Sequence, residues 1–84
     1  MRYMLWMLDA GSFQRGQRLA PAAEAVTVRV RDGETQVTKG PFAATPVPVG
    51  GFEIVDVLDL DQAIAIAAAH PAGAEIRPFH PEEH

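Results

Sequence analysis

Residues 52–79 read FEIVDVLDLDQAIAIAAAHPAGAEIRPF, and this stretch decides the fold because it predicts a strand, a helix and a second strand in succession. Phe52–Leu58 is rich in the β-branched and aromatic residues that strands favour. Both of its alternating faces are largely apolar, which is typical of a central strand covered on each side. Ala74–Phe79 predicts the second strand, and Pro78 confines it to a sheet edge or to its own end.

The helix between these strands has a predicted start and stop. Asp59 is a good N-cap, and Gln62 three residues later completes a capping-box pattern. Pro71 and Gly73 end the helix after His70. The many alanines predict a close approach to the sheet. The residues spaced as a core stripe are Leu60, Ile64, Ala67 and Ala68.

A hairpin precedes this unit. Ala25–Arg31 (AVTVRVR) alternates apolar and polar residues with period two, as a half-buried strand does. Asp32-Gly33 is a strong signal for a tight hairpin turn, and Thr35–Thr38 is the returning strand. Residues 39–51 carry three prolines and three glycines. We expect them to form an ordered loop laid on the domain.

The N-terminal segment is ambiguous. Arg2–Leu8 (RYMLWML) is apolar on every side, so periodicity does not separate a buried strand from a short buried helix. Phe13–Leu19 (FQRGQRL) predicts a short irregular or edge strand that is interrupted by Gly16.

Size and composition narrow the classes of protein that this chain can be. Small domains bury little surface, so they depend on disulfides, a structural metal or association. The 84 residues include no cysteine, and two of the three histidines lie in the polar tail, residues 80–84. We therefore expect no cofactor and no metal site. Residues 1–79 are expected to form one domain that assembles as a homodimer or a higher homo-oligomer.

Charge and hydropathy exclude two classes of partner. The formal net charge is −4, whereas non-specific nucleic-acid binding needs clustered Lys and Arg. The longest apolar run, Tyr3–Leu8, is far shorter than the roughly 20 residues that cross a bilayer. We expect a cytoplasmic chain that binds neither nucleic acid nor membrane.

Residues 19–79 also carry a series of short motifs in a fixed order. The series is a Leu-Ala-Pro connector, an arginine-bearing strand, an Asp-Gly turn, Gly-Pro-Phe, Gly-Gly before an aromatic strand, Asp-Leu-Asp opening a helix, and Glu-x-Arg-Pro. With MRYMLWML at residues 1–8, it resembles the DGPF branch of the YCII-related family. The resemblance implies an α+β fold, a ferredoxin-like βαββαβ unit that pairs through its sheets as a dimeric α+β barrel. Here that means a small antiparallel sheet with one main helix on one face.

The first departure from the family is that most of its first helix is missing, between the first strand and Gly11–Phe13. A parallel connection needs a dozen or more residues, so the first two strands would form a hairpin or exchange between subunits. A competing interpretation makes Arg2–Ala10 the end of that helix, capped by Gly11. We favour the strand, because losing a central strand would damage the sheet more.

The second departure lies in the family's signature. Its Asp-Gly-Pro-Phe appears here as Lys39-Gly40-Pro41-Phe42, and the polar stretch that usually follows reads Ala43–Val47 (AATPV). A polar site built from those side chains is therefore depleted. The histidine proposed as catalytic in some family members has no match in this chain, and we assign no catalytic residue.

Asp56 is the carboxylate of most interest. Strand alternation places it on one face with Phe52 and Ile54, and a buried carboxylate is costly unless it is paired. We expect it to bond an arginine, or to be a functional group in a pocket. The candidate arginines are Arg29, Arg31 and Arg77. The ligand-binding candidates are Asp56, Phe42, Arg29 and Trp6.

Two other side chains have alternative interpretations. Trp6, with Tyr3, is either a pocket wall or part of an apolar core or interface. His70 is either a general base or a cation that interacts with the end of the helix dipole.

Three functions remain open from the sequence. The chain is an oligomeric module that binds a small molecule or protein at a subunit interface, or a small lyase- or isomerase-type enzyme, as the family resemblance allows. The third hypothesis is a truncated or recombined gene product that folds but has lost its ancestral role.

Overall fold

The computed structural model describes residues 1–9, 15–42 and 47–81, which form six strands and one α-helix. The elements are β1 (Arg2–Leu8), β2 (Gln17–Arg18), a 3-10 turn (Ala22–Glu24), β3 (Val26–Arg31), β4 (Glu34–Lys39), β5 (Val49–Asp56), α1 (Leu60–Ala68) and β6 (Ala74–Pro78). Four strands form an antiparallel sheet in the order β2-β5-β1-β6, with α1 on one face, and β3 pairs with β4 as a separate hairpin. This is an α+β, ferredoxin-like arrangement.

Parts of three predicted segments lie outside the described residues. They are residues 10–14 of the connection after β1, residues 43–46 of the loop predicted over 39–51, and residues 82–84 of the tail.

β1 is a central strand, so the helical alternative for this segment is wrong. It pairs with β5 on one edge and with β6 on the other, and Leu5 lies opposite both Glu53 and Ile76. Tyr3 and Met7 share its helix-facing side with Leu5, and none of the three is more than 3% exposed. Burial accounts for the apolar residues on the helix-facing side of β1, whereas Met4 and Trp6 are apolar on a side that no element in the described part of the chain covers.

The expected hairpin between β1 and β2 is also wrong. β5 lies between them, and Trp6, Phe52 and Gln17 are neighbours across the sheet. Adjacent strands are about 4.8 Å apart, so β1 and β2 are separated by only about 10 Å across β5. Because β2 has just two residues, the eight residues 9–16 are long enough to connect the two strands. A Cβ at Gly16 would lie 2.8 Å from the carbonyl oxygen of Phe52, so the chain returns very close to the sheet. The split βαβ strand order is kept, and the described residues between β1 and β2 include no helix.

α1 has the predicted cap but buries a different stripe. The Asp59 carboxylate accepts a hydrogen bond from the backbone N–H of Gln62 at 3.0 Å. The side-chain Oε1 of Gln62 accepts one from the backbone N–H of Leu58 at 2.9 Å. Ala63 and Ala67 are the buried helix residues.

The predicted stripe is therefore wrong at Leu60 and Ile64, which remain 48% and 46% exposed, and at Ala68, which is also exposed. α1 lies on β6 and β1 through its smallest side chains, because alanine lets the helix backbone come close to the sheet.

The hairpin turn is the one that the sequence predicts. Asp32 and Gly33 both have positive φ, 52° and 79°, as a type I′ turn requires. Val28 pairs with Val37 across the two strands.

The core occupies one side of the sheet. It consists of Tyr3, Leu5, Val55 and Ala63, against which Val57, Ile66, Ala74 and Ile76 pack. The molecule measures 42 × 35 × 18 Å, so it is a thin slab of one sheet and one helix. No helix or strand in the described part of the chain packs on the other face of the sheet.

The position of Leu5 generates a stability prediction. Leu5→Ala is expected to lower the free energy of unfolding by about 3 kcal/mol, because it removes a side chain from the centre of a small core and leaves a cavity. Leu58→Ala is the matched control, since Leu58 is 80% exposed and its loss should change stability by less than about 0.5 kcal/mol. Urea unfolding followed by circular dichroism measures both, and equal effects would contradict this description of the core.

Candidate binding surface

The open face of the sheet carries a cluster of apolar side chains from its two central strands. Trp6 lies opposite Phe52, and Met4 lies opposite Ile54. Cross-strand partners project to the same face, so these four side chains are neighbours. Trp6 and Ile54 remain 37% and 44% exposed. We call these four residues the open face.

A groove of about 750 Å³ begins at Trp6. Its walls come from the 3-10 turn, the chain on either side of that turn, and the start of β5. The apolar lining residues are Trp6, Leu19, Ala20, Pro21, Ala22, Ala25, Pro41, Pro48 and Val49. Glu24 and Glu75 are the charged residues of the lining. This volume is within the range of about 300–1,000 Å³ that is usual for small-molecule pockets.

Two of the four residues predicted to bind a ligand lie together. The Arg29 guanidinium lies 4.8 Å from the centroid of the Phe42 ring, a cation–π contact on the polar side of the hairpin. The Gly40 amide donates to the Ala25 carbonyl at 2.7 Å, and the Thr27 hydroxyl donates to the Gly40 carbonyl at 2.7 Å. The Lys39–Phe42 signature is thus bonded to the base of the hairpin.

The other two candidates are separate from this pair and from each other. Trp6 is part of the groove, which reaches the hairpin end of the chain through Pro41. Asp56 is four residues beyond Phe52 on β5, or about 13 Å along the strand. The structure does not bring the four candidate residues together into one site.

The expected burial of Asp56 is wrong. Its side chain is 78% exposed, and its charged partner is the N-terminal ammonium of Met1 at 3.4 Å. Arg77 pairs with Glu75 at 3.3 Å, and Arg29 stacks on Phe42. Asp56 lies at the end of a strand on the uncovered face, so it remains hydrated and needs no buried arginine.

The opposite face holds an ion pair that the sequence did not reveal. Glu53 accepts from Arg15 Nε at 2.9 Å and from Arg15 Nη2 at 2.7 Å, both through its Oε2. The Glu53 side chain is 16% exposed, and its Oε1 has no hydrogen-bond donor among the described residues. The pKa of Arg15 is raised from its ordinary value. The main cause is its hydrogen bonding to Glu53, and the second is the negative charge of the Glu53 carboxylate. Arg15 therefore stays charged at any pH at which the fold would be studied.

No local signal could have paired these two residues. Glu53 alternates with apolar residues on a strand, and Arg15 is 38 positions away in a segment without regular periodicity. They meet because Arg15 and Gly16, just before β2, lie on the helix-bearing side of the sheet beside Met7.

His70 is buried, and its ring contacts a strand. Nε2 lies 2.7 Å from the carbonyl oxygen of Leu8, and the residue is 9% exposed. The ring thereby connects the chain after α1 to the end of β1. A cavity of about 50 Å³ adjoins it, bounded also by Arg15 and Met7. That volume holds a water molecule or two, so it has no room for an organic substrate.

The described residues hold neither a metal-binding cluster nor a membrane-spanning helix. In residues 1–9, 15–42 and 47–81, no three His, Asp or Glu side chains are placed to hold a metal ion. No helix in the described part of the chain is long and apolar enough to span a membrane.

Comparison with known proteins gives two matches. The sequence profile of the YCII-related domain matches residues 1–78. An uncharacterized protein of Rhizobium meliloti (strain 1021) is 38% identical over 78 residues, which cover 86% of this chain and 63% of the relative. The chain thus spans less than two thirds of the length of this curated relative.

The Arg15–Glu53 pair predicts unequal effects of its two partners. Arg15→Ala should cost about 2–3 kcal/mol of stability, because it leaves a largely buried carboxylate without a partner. Glu53→Gln should cost about 1 kcal/mol or less, because the half-exposed Arg15 regains water. Denaturant unfolding of the two variants at neutral pH measures the difference, and a larger loss for Glu53→Gln would show that the carboxylate is not buried in solution.

Proposed function

The chain belongs to the YCII-related domain family, and we propose that it is a homodimeric binding module that takes a small, largely apolar molecule into the groove beside Trp6. The observation that carries this proposal is the groove itself, a concave apolar space of about 750 Å³ with an aromatic ring in its wall. Pockets with mostly apolar walls and a few polar groups are the usual form of small-molecule sites.

The charges at the groove indicate the class of molecule that fits. Glu24 and Glu75 are carboxylates, and Glu75 has Arg77 beside it. An anionic ligand would face Glu24 without a compensating cation in the lining. A neutral or cationic apolar molecule is therefore preferred. Trp6 supplies a flat surface for stacking, and the face of its ring attracts cations.

The residues predicted from sequence have different parts in this proposal. Trp6 contacts the ligand. Phe42 follows Pro41 at the far end of the groove, and its ring stacks on Arg29 rather than entering the lining. We assign Asp56 to the margin of the open face rather than to the ligand, because of its exposure and its distance from Trp6.

The open face supports association near this groove. Met4, Trp6, Phe52 and Ile54 form an apolar area on a sheet whose other side is already packed. A chain of 84 residues has no further element in its described part to cover that face. Association through that face would remove the apolar area from water and would bring the groove beside Trp6 into the interface.

An enzyme of the lyase or isomerase type is less well supported. The cavity beside His70 holds about 50 Å³, and the apolar groove has two carboxylates but no histidine in its lining. Binding without chemistry needs none of the groups that such a reaction would require.

The ligand proposal is tested through the single tryptophan. Nile red, a neutral apolar dye, should quench Trp6 fluorescence on binding. Ala20→Glu should raise its dissociation constant at least about tenfold, because the new carboxylate would lie in an apolar groove. Ala23→Glu, the same change at an exposed residue outside the groove, is the matched control. Equal Nile red affinity for the Ala20→Glu and Ala23→Glu variants would contradict ligand binding in this groove.

The association proposal is tested separately. Analytical ultracentrifugation at micromolar concentration should give a species of twice the chain mass of 9.1 kDa. A folded 9.1 kDa monomer at every concentration would contradict it and would leave the dye experiment to decide ligand binding.

A further inference from the structure

The β3–β4 hairpin exposes an apolar face. Val26, Val28 and Val30 on β3 and Val37 on β4 are 60%, 58%, 72% and 67% exposed. Their pairing partners show that all four lie on one side, together with Thr35 and Lys39. We call these six residues the valine face. The other side of the hairpin is polar and carries Arg29 and Gln36.

A hairpin of this kind is not self-sufficient. Two strands alone are marginally stable in water, and they usually need a third strand or a packed surface. Here the strands are separate from the four-stranded sheet. More than half of each valine remains in contact with solvent, so the apolar side of the hairpin is not covered by its own chain.

The molecule exposes enough surface for a stable interface. Its accessible surface is 6394 Å², whereas a folded monomer of 9.1 kDa exposes about 4,900 Å². The excess is about 1,500 Å², and a standard dimer buries about 800 Å² on each partner. The radius of gyration, 14.8 Å, likewise exceeds the value of about 12 Å for a compact chain of this length.

We propose that the valine face of each hairpin packs across the open face of a second copy of this chain and covers that copy's groove. This proposal rests on the homodimer of the proposed function and names its contact. The valine face of each chain then packs on the open face of the other chain, so the two contacts are related by a two-fold axis. The partner supplies a wall of the groove, and the site is incomplete without it.

Shape and charge favour this occupant. The valines of β3 span about 13 Å from Val26 to Val30. The open face spans about 7 Å along β1 and β5, and the groove beside Trp6 extends it. Lys39 is the one charged side chain of the valine face, and the groove carries Glu24 and Glu75. The Lys39 ammonium of one chain would then compensate the charge of a groove carboxylate, such as Glu24, in the other chain. A neutral apolar ligand could not do so.

The contact is tested by quenching between chains, because tryptophan quenches a bimane label only at short range. The label is placed on Thr35→Cys in a Trp6→Phe chain, which has no other cysteine. Adding wild-type chain should reduce the bimane emission, since only the partner then carries Trp6. Gln36→Cys, labelled on the polar side of the hairpin, should keep its emission and is the matched control.

A second measurement uses the dimer itself. Val28→Lys should raise the dimer dissociation constant at least about tenfold, because an ammonium would have to enter an apolar contact. Gln36→Lys makes the same charge addition on the polar side and should leave association unchanged. Both residues are exposed in the single chain, so neither change should unfold it.

The outcomes separate this proposal from the one on which it rests. A stable dimer without quenching at Thr35, or with equal dissociation constants for the two lysine variants, overturns the hairpin contact and leaves the homodimer standing. A monomer at all concentrations overturns both, while Nile red binding would still report on the groove.

Discussion

The rest of the structure depends on β1 being paired along both edges. Its backbone bonds to β5 and β6 at once, and Leu5, fully buried, is at the centre of the only packed core in the described residues. Because those neighbours flank α1 in sequence, β1 holds the two ends of the β5–α1–β6 unit together. α1 can then lie on the sheet through alanines. Without β1, neither the sheet nor the site of the helix would exist.

A core on one side of a sheet has a consequence for the other side. The free energy of folding comes from Tyr3, Leu5, Val55 and their neighbours on the helix side. The residues between them along β1 and β5 must point the opposite way, because side chains alternate in a strand. Those residues are apolar here, so the same alternation that builds the core also builds an exposed apolar face. That exposed apolar face is the observation from which we propose association.

The short connection after β1 shapes the helix-bearing face. β2 has two residues and lies about 10 Å from β1, with β5 between them. Arg15, just before β2, contacts Glu53. An unpaired Glu53 carboxylate would be costly on this apolar face, and the Arg15 guanidinium neutralises its charge. The helix-bearing face therefore holds one ion pair beside its apolar core.

Much of the fold was predictable from local patterns. The strand–helix–strand unit, the Asp59 cap and the Asp-Gly turn follow from periodicity, side-chain hydrogen bonding and backbone preference, which act between residues close in sequence. The family resemblance gave the fold class.

Other features depended on residues that are far apart in the chain. Strand order placed β5 between β1 and β2, and helix docking turned Ala63 rather than Leu60 toward the core. Asp56 proved to be exposed because its face has no cover in one chain, and the Arg15–Glu53 pair joins segments 38 residues apart. Sequence alone determined what each segment can form. The tertiary structure decided which face is covered, because burial depends on contacts between segments that local patterns do not specify.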